Sequence, residues 1–239
     1  MSSSPLSKTQ VNKAGRALRD YVSGERSTID VAELNEILNL VEVFRTSHRE
    51  PLHSAYMGLV SGCRSLALDA RITQRLKRWA TIVDKLYRHP QMQLANMQDI
   101  GGCRAVVPSL ADLRKLEAHL RRYHKGKLDT ERCRDYIDRP RDSGYRAVHL
   151  IVFYKGRRVE WQLRTQAMHD WAWAVERLVP QIGDDIKNGE GPAAVHDWLR
   201  LVSQALGYED RGIQVPPELL EYLRLARRAA TEYLQPRES

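Results

Sequence analysis

No run of apolar residues in this sequence approaches the roughly 20 that a helix needs to cross a bilayer, which excludes a helical membrane protein. The first residues, Met1-Ser2-Ser3-Ser4-Pro5, lack the charged-then-apolar layout of a secretory signal. Cysteine is scarce: Cys63, Cys103 and Cys133 form an odd set, far apart and without metal-ligand spacing. Such a set fits no disulfide framework and implies reduced thiols in a cytosol. Internal repeats and low-complexity segments are absent too. The expectation is a cytoplasmic protein with no membrane partner.

What is present fits one domain with appendages: 239 residues, 42% of them hydrophobic. The 38 Lys and Arg outnumber the 30 Asp and Glu, for a net charge of +8. That excess favours polyanionic partners, meaning nucleotides or nucleic acid. Arg dominates, and its planar guanidinium suits bidentate phosphate contacts and stacking on bases.

The stretch Val159-Glu160-Trp161-Gln162-Leu163-Arg164-Thr165 alternates apolar and polar side chains, the signature of a strand with one buried face. Its other face carries a carboxylate, an amide and a guanidinium in a row. This trio suits a metal and a polyphosphate, and it equally suits a solvated face. Tyr145 to Tyr154 also alternates, and Lys155-Gly156-Arg157-Arg158 reads as the turn joining the two strands into an antiparallel hairpin.

Upstream, helices are expected over Ser7 to Val22, from Asp30 with Leu34, Ile37, Leu38 and Val41 in register, and from Pro51. His48 and His53 have no metal-ligand arrangement. Over Ala70 to Tyr87, helical spacing places Ile72, Leu76, Trp79, Val83 and Leu86 on one side of a wheel. Lys77, Arg78, Thr81 and Lys85 fall opposite, with Arg75 at the edge, and Asp84 is the one acid. A basic stripe so poorly neutralised suits phosphates as well as solvent. Next, Gly101-Gly102 permits a tight backbone or the close approach of a ligand, and Cys103 to Val107 reads as a strand. Ser109 with Asp112 marks a helix start. Thr165 caps a helix to about Leu178, Gly183 to Pro192 is a polar linker, and helices follow over 194–206 and 217–234. The last has a broad apolar face, suited to packing on the domain or to a homo-oligomer contact. The division expected is a helical N-terminal extension (1–69), a core (70–180) and a helical C-terminal extension (181–239).

Four motifs stand in order: Arg75-x-Lys77-x-x-x-Thr81-x-x-x-Lys85; Asp99-Ile100-x-Gly102-x-Arg104; Arg134-Asp135-Tyr136-Ile137-x-x-Pro140-Arg141-x-x-Gly144-Tyr145-Arg146-x-x-His149; and Glu160-x-Gln162-x-Arg164-Thr165. With their intervals, over roughly residues 70 to 178, they resemble the synthetase domain of the RelA/SpoT family. The resemblance implies an α+β, nucleotidyltransferase-like fold: a mixed, mainly antiparallel sheet of about 4–5 strands flanked by helices. It implies transfer of the β,γ-pyrophosphate of ATP to a nucleotide 3′-hydroxyl, with AMP released. By position, Asp99 and Glu160 are catalytic and hold Mg²⁺, a hard cation that takes carboxylate oxygens. Arg75, Lys77, Thr81 and Lys85 hold the ATP phosphates, while Arg104 and Arg134 stack on adenine. Tyr145 stacks on the acceptor base, and Arg141, His149, Gln162 and His169 line its pocket. Taken singly, each has a plainer reading: Asp99 capping the Gly101-Gly102 turn, Arg104 as its salt-bridge partner, Tyr145 and His149 merely packed.

Departures from the family pattern keep the chemistry: Thr81 replaces a usual Ser, His169 stands where many small synthetases have Asn, and Gly101 is commonly Ala. No upstream His motif accompanies His169-Asp170, so the hydrolase site of long members is not expected, and the resemblance is to a single-domain small synthetase. The Leu94-to-Arg104 version of the second motif looks like that of toxic small synthetases. That branch implies an antitoxin partner and other acceptors: the 3′-CCA end of tRNA, or an adenosine nucleotide. GDP or GTP ranks first because Tyr145, His149 and Gln162 all match. A catalytically inactive RNA- or nucleotide-binding module ranks last, since both acidic positions are intact.

Overall fold

The computed structural model describes residues 6–26, 28–182 and 191–234, so most of the linker expected over 183–192 lies outside the described residues. A five-stranded mixed sheet runs in the order β1-β2-β5-β4-β3. The strands are β1 (Arg71–Leu76), β2 (Gly101–Val107), β3 (Arg134–Asp135), β4 (Val148–Tyr154) and β5 (Arg157–Thr165). β2 and β5 pair in parallel; the other three pairs are antiparallel. The expected β4–β5 hairpin is present, turning at Lys155 and Gly156, both with positive φ.

The hydrophobic alternation of the sequence decides which face of this sheet is dry. Cys103, Ala105, Val148, Leu150, Val159, Trp161 and Leu163 point to one side and are buried under α3 (Arg49–Ser65) and α5 (Leu110–Tyr123). Trp161 is fully enclosed, and its indole N–H donates to the Ala55 carbonyl at 3.1 Å, so burial leaves no unmet donor. Cys63 and Cys103 are buried thiols, pushed up to about 11 and about 12 by desolvation, and no cysteine is paired.

The N-terminal helices α1 (Lys8–Val22) and α2 (Val31–Thr46) form a second core with α4 (Trp79–Arg88) through Leu18, Val41, Ile82 and Leu86. Ser7 caps α1 with a complete capping box. His48 is buried against the Phe44 carbonyl, and among the described residues no cluster of His, Cys, Asp and Glu suits a metal by itself. A third core joins α6 (Gln166–Ile182), α7 (Ala193–Glu209) and α8 (Pro217–Leu234). Among the described side chains of α8, Leu219 and Ala230 are buried, Ala230 within this core, and Leu220, Tyr222 and Leu225 stay exposed. No described helix is long and apolar enough to cross a membrane.

The expected helix over residues 70–87 is a strand followed by a shorter helix. Ile72 and Leu76 stand four apart, and both a helix and a strand put positions i and i+4 on one side. What decides is the free edge of β2, which β1 joins antiparallel from Arg71↔Val106 to Leu76↔Gly101. Arg78 is extended, and the helix starts at Trp79. Gly101 and Gly102 likewise form no tight turn; both lie in β2 without positive φ. β4 starts at Val148, so Tyr145 belongs to the preceding loop and not to the strand.

Gly144 in that loop is required by its backbone. Its φ is +90°, and a Cβ there would lie 3.1 Å from both Arg200 Cα and Ser203 Cβ on α7. Gly156 shares a positive φ of +76° but has open space around it. Gly144→Ala is therefore expected to destabilise the protein by more than the about 1–2 kcal/mol that left-handed backbone alone costs a side chain. Gly156→Ala should cost no more than that. Urea denaturation of the two variants checks the order.

Candidate active site

Strand register assembles the polar face. In the parallel pair, Gly102 stands beside Glu160 and Arg104 beside Gln162. Across the antiparallel neighbours, Arg75 faces Gly102, Thr73 faces Arg104, His149 faces Gln162 and Arg134 faces His149. Residues opposite one another share a face. The trio Glu160, Gln162 and Arg164 is thus the middle of a polar surface made by all five strands.

A closed set of hydrogen bonds holds this surface. Arg164 Nη2 donates to the Tyr145 hydroxyl at 2.8 Å and to Gln162 Oε1 at 3.3 Å. The Tyr145 hydroxyl meets His149 Nε2 at 2.7 Å, and His149 Nδ1 meets Glu160 Oε1 at 2.8 Å. Gln162 Nε2 donates to Glu160 Oε2 at 2.7 Å. Since a carboxylate only accepts, His149 carries a hydrogen on Nδ1 and donates it to Glu160. Two hydrogen-bonded chains therefore join one guanidinium to the two oxygens of one carboxylate. Burial alone would raise the Glu160 pKa; His149, Gln162 and nearby Lys85 outweigh it and hold it at about 2.

Asp99 lies just before β2. Its carboxylate accepts from Lys77 at 2.8 Å and from Lys85 at 3.0 Å. Burial pushes this carboxyl up, but the two ammonium groups prevail and lower its pKa, despite repulsion from Glu160. Lys77 is fixed by its own backbone, which donates to the Ile100 carbonyl and accepts from Arg45 of α2.

Two cavities meet at these carboxylates. The first, about 160 Å³, is lined by Arg75, Lys77, Arg104 and Gln162; the second, about 240 Å³, by Lys85, Arg134, Arg141 and His149. Asp99 and Glu160 line both. Two carboxylates between clustered cations fit Mg²⁺, which keeps several waters and is held by one or two protein carboxylates plus phosphate oxygens.

Residues 74–177 match the family described as a region found in RelA / SpoT proteins. The chain carries a RelA/SpoT domain. An uncharacterized protein of Mycobacterium tuberculosis is 31% identical over 188 residues, covering 79% of this chain and 64% of its own length. The GTP pyrophosphokinase YjbM of Bacillus subtilis is 34% identical over 111 residues, 42% of this chain and 52% of that protein. The chain thus spans less than two thirds of either relative. Among solved structures, small alarmone synthetase 1 of Bacillus subtilis, bound to its product pppGpp, superposes with a TM-score of 0.60 at 27% identity, over 72% of this chain and 93% of the other.

Within the RelA/SpoT domain the expected site residues do not all gather in one place. Arg75, Lys77, Asp99, Arg104, Glu160 and Gln162 share the first cavity, while Lys85, Arg134, Arg141 and His149 line the second. Arg104 and Arg134 therefore face different spaces, and an adenine stack between them does not fit. Arg75, one strand from Arg104, shares its cavity. Arg134 instead turns back on its own loop, donating to the Glu131 and Cys133 carbonyls. Thr81 is exposed on α4, one turn before Lys85, and lines neither cavity. Arg104 is not the salt-bridge partner of Asp99; the two lysines are. Two guanidiniums approach the Tyr145 ring, Arg141 at 5.3 Å and Arg164 at 5.0 Å from its centre. A third cavity, about 130 Å³, opens beside it against Trp171 and Glu176.

Arg164 is the residue whose role the sequence left unassigned. It is 5% exposed and pairs with no described carboxylate. Its Nε is buried without a partner, as are Arg104 Nε and His169 Nδ1. Burial and then Arg104, Arg164 and Arg71 lower the His169 pKa, so these cations crowd one another. The sequence signal was present, a cation on the polar face in line with Glu160, but its burial was not readable. A buried guanidinium that anchors packing would cost about 3–5 kcal/mol to remove. One kept for the site gives back its desolvation cost, offsetting hydrogen bonds worth about 1.5–3 kcal/mol each. Arg164→Met is expected to change the unfolding free energy by no more than about 1 kcal/mol. Guanidinium denaturation checks this; a loss above about 3 kcal/mol would show a purely structural arginine.

Proposed function

We propose that this chain transfers the β,γ-pyrophosphate of ATP to the 3′-hydroxyl of GDP or GTP. The observation that carries the reading is the position of Asp99 and Glu160, shared by two cation-lined cavities. A triphosphate needs clustered cations, and the first cavity offers Arg75 and Lys77 with Lys85 next to it across Asp99. Arg75 and Arg104 provide planar faces for adenine there. The acceptor enters from the other side, its base on Tyr145 and its phosphates toward Arg134 and Arg141. Similarity to a GTP pyrophosphokinase and to a small alarmone synthetase structure supports this direction of reading.

In the reaction, the acceptor 3′-oxygen forms a bond to the β-phosphorus while the bond from that phosphorus to the oxygen bridging the α-phosphate breaks, and AMP leaves with that oxygen. Glu160, ionised before the reaction, takes the 3′-hydroxyl proton and releases it to solvent, with His149 and Gln162 fixing its orientation. Asp99 and Glu160 would hold Mg²⁺, which supplies relief of charge on the transferring group. The cations otherwise do what pyrophosphoryl transfer chiefly requires, positioning and electrostatic stabilisation. ATP and GTP as substrates imply a cytoplasmic site of action.

A second acceptor, the 3′ end of tRNA, is favoured by an open arginine-lined cleft beside the acceptor loop and outside both cavities. Labelled ATP offered with GDP, GTP, ATP and bulk tRNA separates the readings. Label on a guanosine nucleotide supports the first; label only on tRNA 3′ ends supports the second and overturns the first. Glu160→Gln removes a charge with little change of volume. Its turnover is expected to fall about a hundredfold or more with an unchanged circular dichroism spectrum. Near-wild-type turnover would refute the role of Glu160.

A further inference from the structure

The 137–146 loop and α7 enclose a cleft of about 460 Å³, larger than either cavity at the carboxylates. Arg141, Arg146, Arg200 and Arg211 line it, with Ser203 and Tyr208 between them. α7 lies beyond the residues that match the RelA/SpoT region, so half of this cleft is built by the C-terminal extension.

Its charge is poorly balanced. Of the acids on its wall, Asp138 is engaged by Arg114 at 2.8 Å, outside the cleft lining, which leaves Asp142. Arg200 has Asp197 at 2.7 Å. Arg146 donates to Ser203 Oγ at 3.1 Å and to the Ile137 carbonyl at 3.3 Å, both neutral acceptors, and rests on Gly207 of α7. Burial and then Arg211 depress the Arg146 pKa, with only Asp210 opposing, and the Asp210 carboxylate accepts from the Thr165 hydroxyl at 2.7 Å. Like charges are thus held together at a half-buried site, an arrangement that an anion relieves.

Continuity with the reaction site comes through Arg141. This exposed side chain lines the second cavity, the third cavity beside Tyr145, and the cleft. A nucleotide with its base at Tyr145 and its 3′-hydroxyl at Glu160 sends its 5′-phosphate toward Arg141. Phosphates further along the same molecule meet Arg146, Arg200 and Arg211.

We propose that the cleft between the 137–146 loop and α7 is a phosphate track for the acceptor, binding the phosphates that lead away from its 5′ side. The proposal rests on the reading that a nucleotide 3′-hydroxyl is the acceptor. The phosphates come from one of two sources, the backbone of a single-stranded RNA 3′ end or the terminal phosphates of a mononucleotide.

The double variant Arg200→Gln/Arg211→Gln tests it. Binding of a fluorescein-labelled ten-nucleotide RNA with a free 3′-hydroxyl is followed by anisotropy across salt concentrations. GTP, GMP and ATP are titrated calorimetrically. For an RNA source, RNA affinity falls at least tenfold, and the slope of log affinity against log salt shrinks by about 1.4, two phosphate contacts at about 0.7 each. GTP and ATP then bind as to the wild type. For a mononucleotide source, GTP weakens while GMP and ATP do not. Unchanged affinity for both RNA and GTP overturns the proposal. A wild-type chain that transfers pyrophosphate to no acceptor overturns the catalytic reading alone, because the binding comparison decides the cleft in either case.

Discussion

The parallel pairing of β2 with β5 is the constraint on which the site depends. It sets Gly102 beside Glu160 and Arg104 beside Gln162, and in the same stroke sends Cys103, Trp161 and Leu163 into the core. A slip of one residue would bury Glu160 and Arg164 where Trp161 now sits, and would expose the indole. Burying the apolar face therefore fixes the polar face without further instruction. β1 and β4 then extend both faces outward from this central pair, bringing Arg75 from one side and His149 from the other.

On that surface the charges are restrained rather than neutralised. Asp99 is held by two lysines, and Glu160 by one histidine and one amide. Both carboxyl groups stay ionised despite burial, which a hard metal ion requires of its ligands. Arg104 and Arg164 are cations without comparable partners, and each leaves a buried Nε unmet. Unmet buried donors are rare in a finished fold and mark a place where something else completes the bonding. The imbalance lies where the anionic substrates of the proposed reaction would stand.

Much of this was legible in the sequence wherever a single element carried the information. The alternation from Val159 to Thr165 gave the strand, its dry face and the row Glu160, Gln162, Arg164. Ser109 and Thr165 cap the helices expected of them, each accepting a backbone N–H of the first turn. Legibility failed where a partner decided the outcome. Ile72 and Leu76 fit either period, and only the open edge of β2 selects the strand. The opposed placement of Arg104 and Arg134 follows from strand order, with β5 and β4 between their strands, and no local pattern encodes it. The burial of Arg164 depends on Tyr145, nineteen residues earlier, folding over it. The arginine cleft needs α7 to return against the 137–146 loop, a contact that Gly144 on the loop and Gly207 on the helix permit.

Lys77 and Lys85 link the electrostatics of the fold to those of the proposed reaction. They sit on Asp99, and they also line the two cavities, one each. A polyphosphate entering the first cavity competes with Asp99 for the same ammonium hydrogens, since each has only three to give. The phosphates pull these ammonium groups toward themselves and so weaken their hold on Asp99, and a carboxylate so relieved is a better ligand for a divalent cation that arrives with those phosphates. Glu160 has no such competitor: its donors, His149 and Gln162, are tied back through Tyr145 to Arg164 and lie on the sheet itself. The two acids are therefore unequal by construction, Asp99 responsive to what fills the cavities and Glu160 fixed in place. That asymmetry suits Asp99 to metal and donor, and Glu160 to the acceptor hydroxyl.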